Sequence, residues 1–269
     1  MVLNLSRKIG LLILISARIK AQEINTGARI TALGNTGVSI QDVWSMQANQ
    51  AGIAAIENAQ ASISYQNNYL HTDLSTKSAV AVLPFKKNVL GLSFQNYGVS
   101  AYSEQRIGLA YAKRFGKTFF AAINLNAHQV RITQYGSAQT FSAEAGIQFK
   151  PFPKILIGSH IANPNKSSYN KQVDAKIPTL LQIGASYLVS DKVTFSSELV
   201  KDLDWLTDAR FGLEYNMMGW LSLRGGFNVN PFRQFAGVGT KYQKIRLDIA
   251  SSSHPVLGYS PQMSLGYEF

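Results

Sequence analysis

From about Gln60 to the end, the chain repeats one pattern: short segments in which apolar and polar residues alternate with period two. Phe119, Ala121, Ile123, Leu125 and Ala127 are interleaved with Ala122, Asn124, Asn126 and His128. Phe141, Ala143, Ala145, Ile147 and Phe149 are interleaved with Ser142, Glu144, Gly146 and Gln148. Successive strand side chains point to opposite faces, so such segments are strands with one oily and one wet face. We count 14 of them, starting near Ala61, Ser78, Val89, Glu104, Thr118, Gln139, Ile155, Thr179, Val193, Ala209, Trp220, Phe235, Ile245 and Tyr259. Twelve is the alternative count. An all-β chain with this many half-apolar strands can close as a barrel or stack as a sandwich.

The connections separate the two. Those after even-numbered strands are tight: Pro84 to Asn88, Phe115 to Lys117, Pro151 to Lys154, Ser190 to Lys192, Asn216 to Gly219 and Tyr242 to Lys244. Those after odd-numbered strands are mostly longer, the longest running from Asn163 to Pro178. Sorting turns to one side and loops to the other is the habit of transmembrane antiparallel β-barrels, with both termini on the periplasmic side. The last strand agrees. Met263, Leu265, Tyr267 and Phe269 share one face and Ser264, Gly266 and Glu268 the other. It resembles the C-terminal strand of bacterial outer-membrane barrels, which implies that Leu265, Tyr267 and Phe269 form a signal for the barrel-assembly machinery.

The N-terminus reads as export. Arg7 and Lys8 precede an apolar run, Ile9 to Ala17, too short to span a bilayer, and Ala21 supplies a small residue for cleavage. Residues 1–21 are therefore expected to be a signal peptide. Removing them takes away four of the 26 basic residues and no acid, so the remaining charge is 22 − 15 = +7. There are no cysteines, which excludes disulfides and thiolate metal sites. Outer-membrane lipid is the expected surroundings.

Much of the positive charge falls at the tight turns: Lys86, Lys87, Lys113, Arg114, Lys117, Lys150, Lys154, Lys192, Lys241 and Lys244, opposed directly only by Asp191. It reads first as a solvated edge that meets anionic lipid head groups, and second as a docking rim for an acidic periplasmic partner. It does not read as a nucleic-acid surface, because no exposed aromatic platform is interleaved with it.

If the oily faces meet lipid, the wet faces line the interior. They carry Arg106, Arg210, Arg224 and Arg246 against Glu144, Glu198, Glu214, Asp248 and Glu268. Opposite charges on neighbouring strands can pair, so a cross-linked lumen is expected in place of a wide pore. The same faces hold Gly91, Gly108, Gly146, Gly158, Gly184, Gly212, Gly226 and Gly266. Strand glycines often mark close approach of another backbone, so something should fill the barrel.

The filler expected is residues 22–59, ahead of a barrel of residues 60–269. Gly27-Ala28-Arg29-Ile30-Thr31-Ala32-Leu33-Gly34-Asn35-Thr36-Gly37-Val38 followed by Asn49-Gln50-Ala51-Gly52-Ile53-Ala54 resembles the N-terminal region of FadL-type barrels. It is most similar to the PorV/PorQ-like branch found with type IX secretion in Bacteroidota. Gly34, Gly37, Asn49 and Gly52 match that pattern, while Gln50 stands where the family usually has proline. The resemblance implies a 14-stranded barrel with an N-terminal plug. Its branch implies an adaptor within an envelope complex, with protein partners; its wider family implies, as the alternative, a channel for hydrophobic small molecules.

No enzyme chemistry shows. His71, His128, His160 and His254 lack ligand spacing, and there is no nucleophile elbow or phosphate loop. Neither metal nor cofactor is expected. Trp205 and Trp220, near strand ends, suit an interfacial aromatic girdle.

Overall fold

The computed structural model describes residues 26–71, 73–170 and 175–269. The expected signal peptide, 1–21, lies outside that range. Fourteen strands form a closed antiparallel barrel. In chain order they begin with β1 (Gln60–Asn67), β2 (Ser75–Phe85), β3 (Asn88–Gly98), β4 (Tyr102–Phe115), β5 (Phe119–Ile132), β6 (Gly136–Phe152) and β7 (Ile155–Ala162). A two-stranded ribbon, β8 (Ser168–Asn170) with β9 (Ala175–Lys176), decorates the following loop and stands outside the barrel sheet. The barrel resumes with β10 (Leu180–Ser190), β11 (Val193–Asp202), β12 (Asp208–Met218), β13 (Leu221–Val229), β14 (Phe232–Tyr242), β15 (Ile245–His254) and β16 (Gly258–Glu268). Every barrel strand starts within three residues of its expected position.

Closure joins β1 to β16, with Ser62 opposite Gly266 and Ser64 opposite Ser264, so no strand of the barrel is left with an unpaired edge. This satisfies the backbone internally, as a lipid setting demands. No helix among the described residues is long and apolar enough to cross a membrane. Ile63, Leu92, Leu109, Ile123, Leu125, Phe141 and Leu265 point outward and are 45–70% exposed. Along the seam, Ser62, Ser64, Ser260, Gln262 and Ser264 point inward and are buried.

Six connections are tight, as expected; β2 and β3, for example, are separated only by Lys86 and Lys87. The opposite end is less uneven than the sequence suggests. Only the β1–β2 connection, the β11–β12 connection and the β7–β10 loop are extended, whereas β13 and β14 are joined through Asn230 and Pro231 alone. A two-residue connection suffices wherever adjacent strands end level, so loop length marks one end of this barrel only weakly.

Residues 27–55 fold inside the barrel. Helix α1 (Gly27–Ala32) is followed by 3-10 turns at Val43–Gln47 and Gln50–Ala55. Asp42 starts the first turn with a reciprocal capping box to Ser45, and Asn49 starts the second by accepting from the Ala51 N–H. Trp44 packs where a Cβ on Gly27 would stand, and Gly27 has φ +77°. Ile30, Leu33, Met46 and Ile53 are at most 2% exposed.

These side chains meet Val80, Val82, Val89, Ala110, Ala112 and Phe120 in one apolar core. The alternating oily faces point outward as expected, but the inner faces are not uniformly wet. On β2 to β5 both faces carry apolar residues, because the inward one packs against the inner segment.

Candidate functional site

Three features occupy the interior: the joint between inner segment and wall, two charge clusters, and a cavity under the long loop.

The joint is cut to fit by glycine. A Cβ on Gly158 would lie 2.0 Å from the Val38 carbonyl oxygen, and one on Gly212 would lie 2.5 Å from that of Leu33. A Cβ on Gly226 would meet the Gly34 nitrogen at 2.4 Å, and one on Gly146 the Asn49 side chain at 2.0 Å. Gly91 faces Met46 and Ile53 in the same way. Gly108 faces only wall side chains, and Gly266 has ordinary space. In the inner segment, Gly34 has φ +67° and Gly52 lies against the Ile40 carbonyl, while Gly37 is pressed on Ala48.

Polar groups tie the joint together. Asn49 Nδ2 donates to the carbonyl oxygens of Val38 (2.8 Å), Ile147 (3.1 Å) and Ser159 (3.3 Å). Gln148 Nε2 donates to Val38 and Ile40, both at 3.0 Å. The Val38 N–H donates to Glu198 at 2.9 Å, and the Ala28 N–H to Ser264 at 2.8 Å. Gln50 Nε2 donates to Glu144 Oε2 at 2.6 Å, a bond that proline could not make. Asn49→Ala leaves two strand carbonyls and Val38 without that donor. It should lower stability by about 1–3 kcal/mol, measured by urea unfolding in detergent; an unchanged midpoint would mean water replaces the amide at no cost.

The first charge cluster lies toward the tight turns. Arg224 donates from Nε to Glu214 and from Nη1 to Asp248 Oδ1 at 2.7 Å. Arg29 of α1 bonds Glu214 through Nε (3.0 Å) and Nη2 (2.9 Å), and Asp42 through Nη1 (2.7 Å). Arg246, its side chain 41% exposed, reaches Asp42 at 2.8 Å. Three cations thus face three carboxylates. Arg29 and Asp42 were not foreseen; an arginine inside a glycine-rich stretch was the available signal.

Arg106 centres the second cluster, donating to Glu144 from Nη2 and to Asn126 from Nε at 3.1 Å. Arg210 bonds Asp208 at 2.9 Å and the Asn35 carbonyl at 3.3 Å, and lies 3.8 Å from Glu198. His160 Nδ1 pairs with Gln182 at 2.7 Å and His128 Nε2 with Ser142 at 2.8 Å.

Glu268 belongs to neither cluster. Inward parity put it in the lumen, but it sits at the open end, accepting from Asn58 at 2.8 Å and lying 3.6 Å from Lys241. The basic residues do flank the tight turns: Lys86 and Lys87; Lys113, Arg114 and Lys117; Lys150 and Lys154; Lys192; Lys241 and Lys244. Their acidic opposition is corrected, since Glu57 bonds Arg114 at 3.1 Å and Glu268 faces Lys241. Lys113 lies over the Phe115 ring, 5.3 Å from its centroid. Leu265 and Tyr267 face outward on β16, and the Phe269 ring stacks edge-on against Tyr267 at 5.0 Å.

The cavity, of about 210 Å³, lies beneath the β7–β10 loop. Ile177, Pro178, Trp205 and Leu206 line its loop side. Arg106, His128, Glu144, His160 and Gln182 line its strand side, and Asn35, Gln47 and Ala48 of the inner segment bound it as well. Among its ionised groups are three cations, Arg106, Lys176 and Arg210, against four carboxylates, Glu104, Glu144, Asp202 and Asp208, a formal −1. Trp205, expected in a girdle, belongs to this lining, while Trp220 stands 55% exposed beside the β12–β13 turn. A second cavity, of about 340 Å³, opens at the tight-turn end and is lined by Asn216, Ser222, Arg224, Lys241, Arg246 and Asp248. Among the described residues no group of three or more histidine, cysteine or acidic side chains could hold a metal.

A closed 14-stranded antiparallel barrel with a folded segment inside has the architecture of bacterial outer-membrane β-barrels. Its fold is similar to that of the toluene transporter TbuX of Ralstonia pickettii (TM-score 0.71, 13% identity, 90% of this chain and 98% of that one). It is likewise similar to the toluene transporter TodX of Pseudomonas putida (0.67, 10%, 89% and 96%) and to a Pseudomonas aeruginosa FadL homologue (0.60, 12%, 90% and 98%). No protein-family model and no curated protein matches the sequence. The shared fold is thus that of FadL-type outer-membrane channels.

Proposed function

We propose that the protein is an outer-membrane channel for small hydrophobic molecules, without catalytic activity. The observation that carries this reading is the cavity beneath the β7–β10 loop, with Ile177, Pro178, Trp205 and Leu206 on the side a ligand would enter. Small-molecule sites are concave, with apolar walls and a few placed polar groups, and this one combines both in a volume smaller than is usual for them. The solved barrels of the same fold include proteins described as toluene transporters, which supports the class of cargo. In this reading residues 1–21 direct export, both termini face the periplasm, and Leu265, Tyr267 and Phe269 engage the assembly machinery. Residues 22–59 act as a plug that must shift for cargo to pass.

Uptake of radiolabelled toluene by cells lacking their own hydrocarbon channels tests it. Expression should raise the initial rate several-fold, and Trp205→Asp should abolish the gain. Equal rates with and without the protein would end the reading. With the plug seated, planar bilayers should show little or no single-channel conductance; large steady openings would indicate a general porin.

A second reading, an adaptor subunit of an envelope complex such as a type IX secretion-like machine, is favoured by the basic turns at one end and by the PorV/PorQ-like character of residues 27–54. Purification from native membranes in mild detergent should then retain a stoichiometric acidic partner. A solitary monomer would leave the channel reading alone.

A further inference from the structure

We infer that the outer wall at the β1–β16 seam binds one anionic phospholipid of the two-phosphate class, cardiolipin, with an acyl chain in a furrow and its phosphates on lysines at the furrow's mouth. The inference concerns the lipid-facing surface and stands or falls separately from the channel reading.

The furrow sets the chain. On the outward face Ala61 of β1 lies opposite Ala81 of β2, and Ala79 follows one outward step along. Their methyl groups are flanked by taller side chains, Leu265 and Tyr267 on β16 and Leu92 and Phe94 on β3. The furrow so formed has a volume of about 450 Å³. On a bilayer-facing wall it gives chain methylenes more contacts than a flat surface does, and it offers a polar group nothing.

The mouth sets the head group. Lys244 precedes Ile245, which edges the furrow on β15, and Lys86 and Lys87 form the β2–β3 turn on the other side. All three are exposed. Nearby Arg114 and Lys241 are held by Glu57 and Glu268, whereas these three lysines have no ion-pair partner among the described residues. Five cations meet Glu57, Glu268 and the carboxylate of Phe269, so the excess is 5 − 3 = +2. In the barrel β15 and β2 are separated by β16 and β1, which is three spacings or about 14 Å. Lysines reaching in from both sides suit two phosphates on a short linker, and the two charges match the excess. Lys86 follows Ala81 by five residues, about 17 Å along the strand, which leaves room for glycerol between phosphate and furrow. An acidic protein would meet the lysines and leave the furrow empty. A zwitterionic lipid would fill the furrow and bring the lysines no net charge. An anionic lipid uses both.

The test is native mass spectrometry of the full chain in detergent, titrated with cardiolipin, phosphatidylglycerol and phosphatidylethanolamine of the same acyl chains. One cardiolipin should bind, about tenfold more tightly than phosphatidylethanolamine and several-fold more tightly than phosphatidylglycerol. The triple variant Lys86→Gln/Lys87→Gln/Lys244→Gln, confined to exposed turns, should bring cardiolipin down to the phosphatidylethanolamine value. Ala81→Phe, which fills the furrow from an exposed position, should weaken all three lipids. Lys150→Gln/Lys154→Gln/Lys192→Gln, on the far side of the rim, is the control and should change nothing. Equal binding of cardiolipin and phosphatidylethanolamine would overturn the inference. So would an equal loss in the control, because cardiolipin would then read the charge of the whole rim. Phosphatidylglycerol bound as tightly as cardiolipin would overturn the two-phosphate assignment, and cardiolipin binding untouched by Ala81→Phe would overturn the furrow. A stable pair of chains that Ala81→Phe separates would overturn it by making the furrow a contact between two copies. None of these outcomes alters toluene uptake.

Discussion

Arg224→Ala should cost about 3–5 kcal/mol of folding stability, the range for breaking a buried ion pair by removing one partner. The Arg224 side chain is 4% exposed and holds two carboxylates, Glu214 on the adjacent β12 and Asp248 on β15, across β14. Gly239 makes the room, since a Cβ there would strike both the Arg224 guanidinium and Asp248. Without Arg224, Glu214 keeps Arg29. Asp248, 3% exposed, loses the guanidinium it pairs with at 2.7 Å. The double variant Arg224→Ala/Asp248→Ala should therefore recover part of the loss, because the orphaned carboxylate is gone too. Urea unfolding followed by the gel-mobility shift of the folded barrel reads both. Wild-type stability of the single variant would show that the interior is wet enough to solvate Asp248, and the buried network would have no energetic meaning.

Gly158→Val should unseat the inner segment. Overpacking a core ordinarily costs about 1–3 kcal/mol because side chains shift aside. At Gly158 the obstacle is the Val38 carbonyl, which is backbone. The strand cannot retreat either, since Gly158 is paired with Gln148 on β6 and with Gly184 on β10. The cheaper escape is for the segment around Val38 to leave, giving up the bonds from Asn49, Gln148 and Val38 itself. We expect a folded barrel whose residues 27–55 become open to protease, with ion conductance appearing in planar bilayers. Gly219→Ala is the control, because a Cβ there meets nothing within 4 Å. Continued protease resistance and silence in Gly158→Val would mean that the joint is loose.

The barrel was legible because its code is local. Parity along a strand states which side chains share a face, and turn residues state where strands stop, so neither needs knowledge of distant parts. Gly146, Gly158, Gly212 and Gly226 were legible for a related reason: a glycine in a good strand signals that some backbone comes near, though not which one. What stayed hidden depends on depth and on partners. Glu268 has inward parity yet sits at the mouth, because alternation does not encode height along the barrel axis. Val80, Val82 and Val89 find their place only when the inner segment is packed against them. Arg29 and Asp42 lie in a segment without periodicity, so only the fold brings them to Glu214 and Arg246. The cavity was invisible for the same reason. Its loop side comes from the aperiodic stretches 163–178 and 203–207.

The glycine-matched joint has a consequence for how such barrels can diverge. These hollows in the wall answer backbone or side-chain groups of residues 27–55, much as a mould answers its casting. A hybrid joining this wall to the leading segment of a distant homologue would collide at several points at once, while either half could be altered slowly with its counterpart. Inheritance should therefore keep the two stretches in step, and a swap intended to change permeability succeeds only when the casting and the mould travel together.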